Sequence, residues 1–454
     1  MPQKPANAQP TKRFFIEMLT ADIALDDAIM DLIDNAVDAI TRLHNHPLDS
    51  RLIAGRAPRS PDGTIDIKVT SNEVSISDDG IGMTRKDAET DVFRLGRLAE
   101  STGATLGVYG IGMKRALFKI GNTFEVVSRP SKKVGFRAHL PDVEIWKTRD
   151  RGRSDWEIPL AAFPRSESAL SHGTRIRITN LRAEIKMQMR DESIIVRLRK
   201  SIGRTYGLLL DRYVRIRLNG RFVAPIPIPL GSSSEIKRGI KRVALLDGKV
   251  TATIVAGLAA KSAQTSDMTE VAGWYVLCNG RVVLAGDKTA SSGWGTDGNA
   301  IFVPSFRAFI GIVFFFSNTP VLLPWRTTKR GLNSDAATFL AIRPTMWTMA
   351  KPILSYLRSY YYSGGDVETT ETRRLQDKLQ AVDLNTLGNE PESEFATAAK
   401  RPKTRKKKDP NIQTIQYPAT KNEIARGGRL IGEPGAPGKR VGRVAFDLLL
   451  EGEL

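Results

Sequence analysis

Residues Met30 to Ile40 read MDLIDNAVDAI. Asp31, Asn35 and Asp38 recur at i, i+4 and i+7, so in a helix they share one face. Ile29, Leu32, Ile33, Ala36, Val37 and Ile40 follow three- and four-residue steps along another. An amide carbonyl among carboxylates is a hard oxygen ligand suited to Mg²⁺, which keeps waters and substrate phosphates in its shell. A carboxylate one turn before that amide could accept a proton from water attacking a terminal phosphate. The same spacing is also that of a solvated acidic helix face, so this stretch needs partners elsewhere in the chain.

Three further stretches supply them. SDDGIGM, Ser77 to Met83, ends an alternating apolar run. A carboxylate at a strand end can accept a hydrogen bond from the exocyclic amine of adenine, and Gly80 and Gly82 allow the backbone to approach a base closely. GVYGIGMKRA, Gly107 to Ala116, places three glycines just before a short helix, a loop whose N–H groups can cradle phosphates at a positive helix end, with Lys114 adding charge. No G-x-x-x-x-G-K-[ST] occurs, which excludes a P-loop site. SHGTRIRITNL puts Thr174 at the start of a strand, within reach of ordered water near a base.

DLIDNAVDA, DDGIGM, GVYGIGMK and GTRIRI, in that order, resemble the motifs of the GHKL ATPases: gyrase B subunits, large heat-shock chaperones, histidine kinases, MutL proteins and MORC ATPases. The resemblance implies that Asn35 is the Mg²⁺ ligand and Asp78 the adenine contact, with Gly80, Gly82 and Met83 lining the base pocket. Gly107, Gly110, Gly112 and Lys114 would hold the phosphates, together with Tyr109, Ile111 and Met113 of the same loop. Asp38 and Thr174 complete the nucleotide set, and Thr84 to Leu106 would be the ATP lid. The hydrolytic base of the family is usually Glu; here that position is Asp31, one methylene shorter. Displacing a reacting group by about 1 Å can cost roughly a hundredfold in rate, so slow hydrolysis is expected.

LPWRTTKRGLN, Leu322 to Asn333, is a polar loop rich in cations after an apolar strand, from which a lysine could swing onto a γ-phosphate. TTK resembles the loop of gyrase-type transducer domains, and LCNGRVVL resembles a strand-turn motif of MutL and MORC transducers; by that resemblance Lys329 senses the γ-phosphate. Four histidines, none ahead of the first acidic helix, argue against a histidine kinase and against a zinc site.

These residues require an α+β architecture. The elements read as a helix over residues 23–43, a hairpin from Ile65 to Ile76, a short helix MKRALFKI and strands NTFEVVSR, GFRAHL, DWEIPL and TRIRITNL. We expect a flexible segment over 1–20, a mixed α/β sandwich over 21–181 that the resemblance implies is the GHKL (Bergerat) domain, a second α/β unit over 182–348 that the resemblance implies is a transducer domain of the ribosomal-protein-like type, a helical segment over 349–384 and a disordered basic tail over 385–454. DVETTETRRLQDKLQAV could form a further helix.

Charge points to a polyanionic partner. The net charge is +19, yet residues 365–454 hold 16 Lys/Arg and 14 Asp/Glu, so the excess lies on the folding part. Residues 182–221 carry eleven cations against four acids. Arg197, Lys200 and Arg204 share a helical face, and Arg215 and Arg217 share a strand face; such groups contact phosphates without reading sequence. A single cysteine, no leader and no apolar run long enough to span a bilayer suggest the cytoplasm. The expected activity is slow ATP hydrolysis driving nucleotide-gated homodimerisation on DNA, closest in kind to prokaryotic MORC-like proteins. The alternatives are a chaperone-like ATPase with protein clients and a nucleotide-gated binding module with negligible turnover.

Overall fold

Apolar alternation at Ile65, Ile67 and Val69 and at Val74 and Ile76 forms the expected hairpin, β1 (Gly63–Val69) and β2 (Glu73–Asp78), with these five side chains buried. The computed structural model describes residues 10–56, 58, 60–96, 103–131, 133–149, 156–163, 171–191, 193–260, 268–362, 377–397 and 418–451. They fall into two units, Met1–Arg401 and Pro402–Leu454.

In the first unit the hairpin joins an eight-stranded sheet. The further strands are β3 (Gly121–Arg129), β4 (Gly135–Leu140), β5 (Leu160–Phe163), β6 (Gly173–Leu181), β7 (Val214–Leu218) and β8 (Arg221–Phe222), in the order β5-β4-β3-β6-β2-β1-β7-β8. Helices α1 (Lys12–Ala21), α2 (Leu25–Leu43) and a later Gly-led helix, Gly112–Ile120, pack together against the sheet. α2 starts where its periodicity starts: Ala24 is the N-cap, and the Asp27 side chain accepts the Ala24 N–H.

Several boundaries differ from the sequence reading. The first 20 residues are not all loose: α1 is a helix, and buried Lys12 donates to the carbonyls of Trp146 (2.9 Å) and Arg149 (2.7 Å) above the Trp146 ring. Instead of DWEIPL, the strand is β5. The first domain does not end at residue 181. β7 pairs in parallel with β1, Ile216 opposite Ile65, and so extends the first sheet. A parallel partner about 150 residues away leaves no local signal.

The second layer is a mixed five-stranded sheet: β9 (Gly239–Leu245), β10 (Val250–Leu258), β11 (Gly273–Cys278), β12 (Arg281–Asp287) and β13 (Phe309–Ser317), in the order β9-β10-β13-β11-β12. Every residue of β13 is buried, as expected for a central strand. A helix over Ala337–Tyr362 covers this sheet. None of the described helices is long and apolar enough to cross a membrane.

The tail expected to be disordered is ordered where described. Asn385 is buried and donates to the Leu52 carbonyl (2.9 Å), and Arg242 donates to the carbonyls of Leu387, Gly388 and Glu390. Of the helix proposed within 366–382, residues 366–376 lie outside the described residues, and Gln380–Ala381 form a short strand. The second unit contains helices Lys421–Leu430 and Gly438–Glu451; a Thr420–Glu423 capping box starts the first. Glycines at 427 and 438 let the helices meet at Val441 and Ile424. Low aromatic content hid these short amphipathic helices. The basic run 400–408, which carries seven Lys/Arg and reads in sequence as a second contact for a polyanion, lies outside the described residues.

The second sheet is tightly packed at Gly311. A Cβ at Gly311 on β13 would meet the buried Trp274 ring at 2.3 to 2.7 Å. Gly311→Ala should lower stability by about 1–3 kcal/mol through overpacking, read as a fall in the denaturant midpoint with an unchanged m-value.

Candidate functional site

The Gly-led helix, α3 (Gly112–Ile120), begins at the end of the glycine loop. Between α2, β2, the turn after it and the start of α3 lies a cavity of about 440 Å³. Of the residues singled out by sequence, Asp31, Asn35, Asp38, Asp78, Gly82, Met83, Gly107, Tyr109, Gly110, Ile111, Gly112, Met113, Lys114, Thr174 and Lys329 line it. Gly80 does not. A Cβ there would strike the Ala39 Cβ at 2.6 Å and the Ala39–Ile40 backbone at 2.7 and 2.8 Å, so Gly80 serves close packing of the turn on α2.

At one end of the cavity, β2 and β6 pair so that Asp78 faces Thr174. Asp78 accepts the Gly80 N–H at 2.9 Å; Ser128 Oγ lies 2.8 Å from Thr174 Oγ1 and accepts the Met83 N–H at 2.8 Å. Gly82 has φ +68°, and a Cβ would come within 2.2 Å of the Arg129 carbonyl, so this position requires glycine. Burial lifts the Asp78 carboxyl to about 7 against the N–H groups of Gly80 and Thr174, with the Asp79 charge pushing the same way.

At the other end, the loop from Gly107 to Ile111 feeds the N-terminus of α3, whose N-cap Ile111 supplies no side-chain cap, and both the loop and the first turn line the cavity. Asp38 lines the wall but is committed to protein: its two oxygens accept the N–H groups of Leu106 (2.8 Å) and Gly107 (2.7 Å). Its contribution is to hold the glycine loop against α2. Lys114 donates to the Val92 carbonyl at 2.9 Å, tying α3 to the expected lid, of which 97–102 lie outside the described residues.

Asn35 is exposed to the cavity between these ends. No group of three or more His, Cys, Asp or Glu side chains able to hold a metal occurs among the described residues. One hard oxygen beside an anion-binding loop fits Mg²⁺, which takes the rest of its ligands from water and phosphate.

Sequence reasoning missed the charges behind this wall. Asp31 is buried, and Arg115 donates to its Oδ2 at 2.6 and 3.2 Å. Burial pushes the Asp31 carboxyl above its usual range, with Lys329 and Arg115 opposing. Asp34 is fully buried and accepts from Tyr206 Oη (2.7 Å), Arg281 Nε (3.0 Å) and Lys329 Nζ (2.7 Å). Burial alone disfavours its charge, yet Arg281, Lys329 and the hydrogen bonds together hold it below the usual range. The available signal was that Asp34 sits beside Ile33, within the apolar stripe, where a carboxylate demands a cation. Arg115 follows Lys114 directly, and Arg281 lies inside LCNGRVVL.

The basic face is less free than its composition suggests. Arg197 pairs with Asp191 (3.2 Å), and Lys200 and Arg204 approach Glu270 (3.3 and 3.7 Å). Arg217 pairs with Asp66, and both Arg215 and Arg217 lie over the exposed Phe222 ring.

A cavity of this size between an acidic helix and a glycine-led helix, against β2 and β6 of a mixed sheet, is the site's defining feature. Residues 23–159 match the family of histidine kinase-, DNA gyrase B- and HSP90-like ATPases. The matched stretch supports ATP binding and hydrolysis at the level of the GHKL superfamily; Thr174 and Lys329 lie beyond it. None of the curated proteins compared matches the chain significantly.

If adenine donates its amine to Asp78, the ionised carboxylate is the binding form. A free-protein value of about 7 then makes affinity rise with pH up to neutrality and level off above. Titration calorimetry with magnesium-bound ADP should find binding about tenfold weaker at pH 6 than at pH 8. Asp78→Asn should abolish most of the affinity.

Proposed function

We propose that this chain binds Mg²⁺-ATP in the cavity between α2 and α3 and hydrolyses it slowly. The observation that carries the reading is the joint lining of one cavity by Asp31, Asn35, Asp78, the Gly107–Gly112 loop and Lys329, which belongs to the second sheet's connections. Asp78, Gly82, Met83 and Thr174 receive the adenine. The N–H groups around Gly110 and Gly112 and the charge of Lys114 favour the phosphates. Asn35 would hold Mg²⁺, which when bound offsets phosphate charge. Asp31 accepts the proton of the attacking water; its raised proton affinity suits a base. Lys329 engages the γ-phosphate and links occupancy to the second sheet.

By the MORC-like resemblance, ATP then drives association of two copies on DNA, with Arg215, Arg217 and the helix bearing Arg197, Lys200 and Arg204 contacting phosphates. A role in genome maintenance or defence is an analogy at the level of fold. The Arg115–Asp31 ion pair at 2.6 Å favours a second reading, a nucleotide-gated binding module with negligible turnover, because a base engaged by a guanidinium is slow to take a proton.

Steady-state hydrolysis separates the two. Asp31→Asn keeps a hydrogen-bonding partner for buried Arg115 and should lower turnover at least about tenfold while retaining ATP binding. Asn35→Ala should lose both turnover and Mg²⁺-ATP affinity. Binding without turnover in the wild type would select the module. Light scattering with a non-hydrolysable analogue should show a doubled mass, and any DNA stimulation should fall as salt rises.

A further inference from the structure

Lys329 is held from two sides. Its N–H donates to the Arg326 carbonyl at 2.7 Å, and its carbonyl accepts from Arg281 Nη1 at 2.6 Å. Its φ is +53°, an uncommon conformation for a residue with a side chain, maintained by these two bonds. The backbone is therefore set, and the freedom left is that of the four-carbon side chain. That side chain lines both the nucleotide cavity and a second cavity behind it, and its ammonium is bound to Asp34.

Asp34 can release that ammonium without being stranded. Removing all partners from a buried carboxylate is strongly disfavoured. Arg281 Nε and Tyr206 Oη both remain on Oδ1 when Lys329 leaves Oδ2. Arg281 thus fixes the loop and keeps Asp34 neutralised, so the lysine can be exchanged while the rest of the cluster stays in place.

We propose that Asp34 is a positioning residue that parks Lys329 and yields it to a third phosphate, so that the cluster itself discriminates ATP from ADP. This rests on the reading that ATP occupies the cavity. A γ-phosphate offers the ammonium a second anion; ADP reaches the same adenine and loop contacts but leaves Lys329 on Asp34. The discrimination is a competition between two anions for one cation, with the loop backbone unchanged.

The test is the ratio of affinities for a non-hydrolysable ATP analogue and for ADP, both with Mg²⁺, measured by calorimetry on the full chain. Asp34→Asn weakens the parking site and should raise the analogue-to-ADP affinity ratio about tenfold. Tyr206→Phe removes one donor from Asp34 at nearly constant shape, tightens its hold on Lys329 and should lower the ratio about threefold. A merely structural role would move both affinities together and leave the ratio fixed; that result, or shifts of the opposite sign, overturns the proposal. Should Asp34→Asn fail to fold, the Tyr206→Phe ratio decides alone. A wild type that binds neither nucleotide removes the ATP reading and this proposal with it, whereas nucleotide binding with an unmoved ratio overturns only the proposal.

Discussion

Four carboxylates of one helix, Asp27, Asp31, Asp34 and Asp38, are buried in this fold. An isolated buried charge is untenable, so each must be met by a donor. The donors come from five places along the chain. Arg330 reaches Asp27, Arg115 of α3 reaches Asp31, Tyr206, Arg281 and Lys329 converge on Asp34, and the backbone at Leu106 and Gly107 closes on Asp38. The requirement to neutralise α2 therefore specifies which elements surround the cavity.

The same requirement couples the two sheets. The β11–β12 hairpin turns at Asn279-Gly280, both with positive φ, as a tight two-residue turn needs. Asn279 is buried and donates to the carbonyls of Thr105 and Ser317, while a Cβ at Gly280 would strike Leu52 at 2.7 Å. The hairpin tip thus rests on the base of the expected lid, and Arg281, the next residue, enters the Asp34 cluster. Residues 383–392 tie the two sheets a second time, through Asn385 to Leu52, Arg242 to three carbonyls and Glu390 to Arg238. With two such ties, relative motion of the sheets is constrained from both places.

The Asp31 end of the cavity shows how tightly the elements are spaced. A Cβ at Gly112 would lie 3.1 Å from Asp31 Cγ, so α3 starts against the carboxylate. The shorter acid and this glycine belong to one arrangement, in which Arg115 also occupies Asp31. Whether water or guanidinium holds that carboxylate is a question of local electrostatics, separate from the affinity for nucleotide.

What the sequence determined by itself was everything carried by local pattern: the α2 stripe, the β1–β2 alternation, the glycine loop ahead of α3, the buried run of β13, and most of the residues around the cavity. These follow from periodicity and from backbone demands that neighbours in the chain express. Tertiary structure alone decided the partners of charge and the long-range pairings. Asp38 serves the loop backbone, Gly80 serves packing, Asp34 is the centre of the ion cluster, β7 belongs to the first sheet, and the cations at Arg197, Lys200 and Arg204 have acidic neighbours. The physical reason is shared: a charge, a strand edge or a close backbone approach is met by whatever the fold brings into contact, a hydrogen bond needing about 3 Å, and that distance bears no relation to separation along the chain.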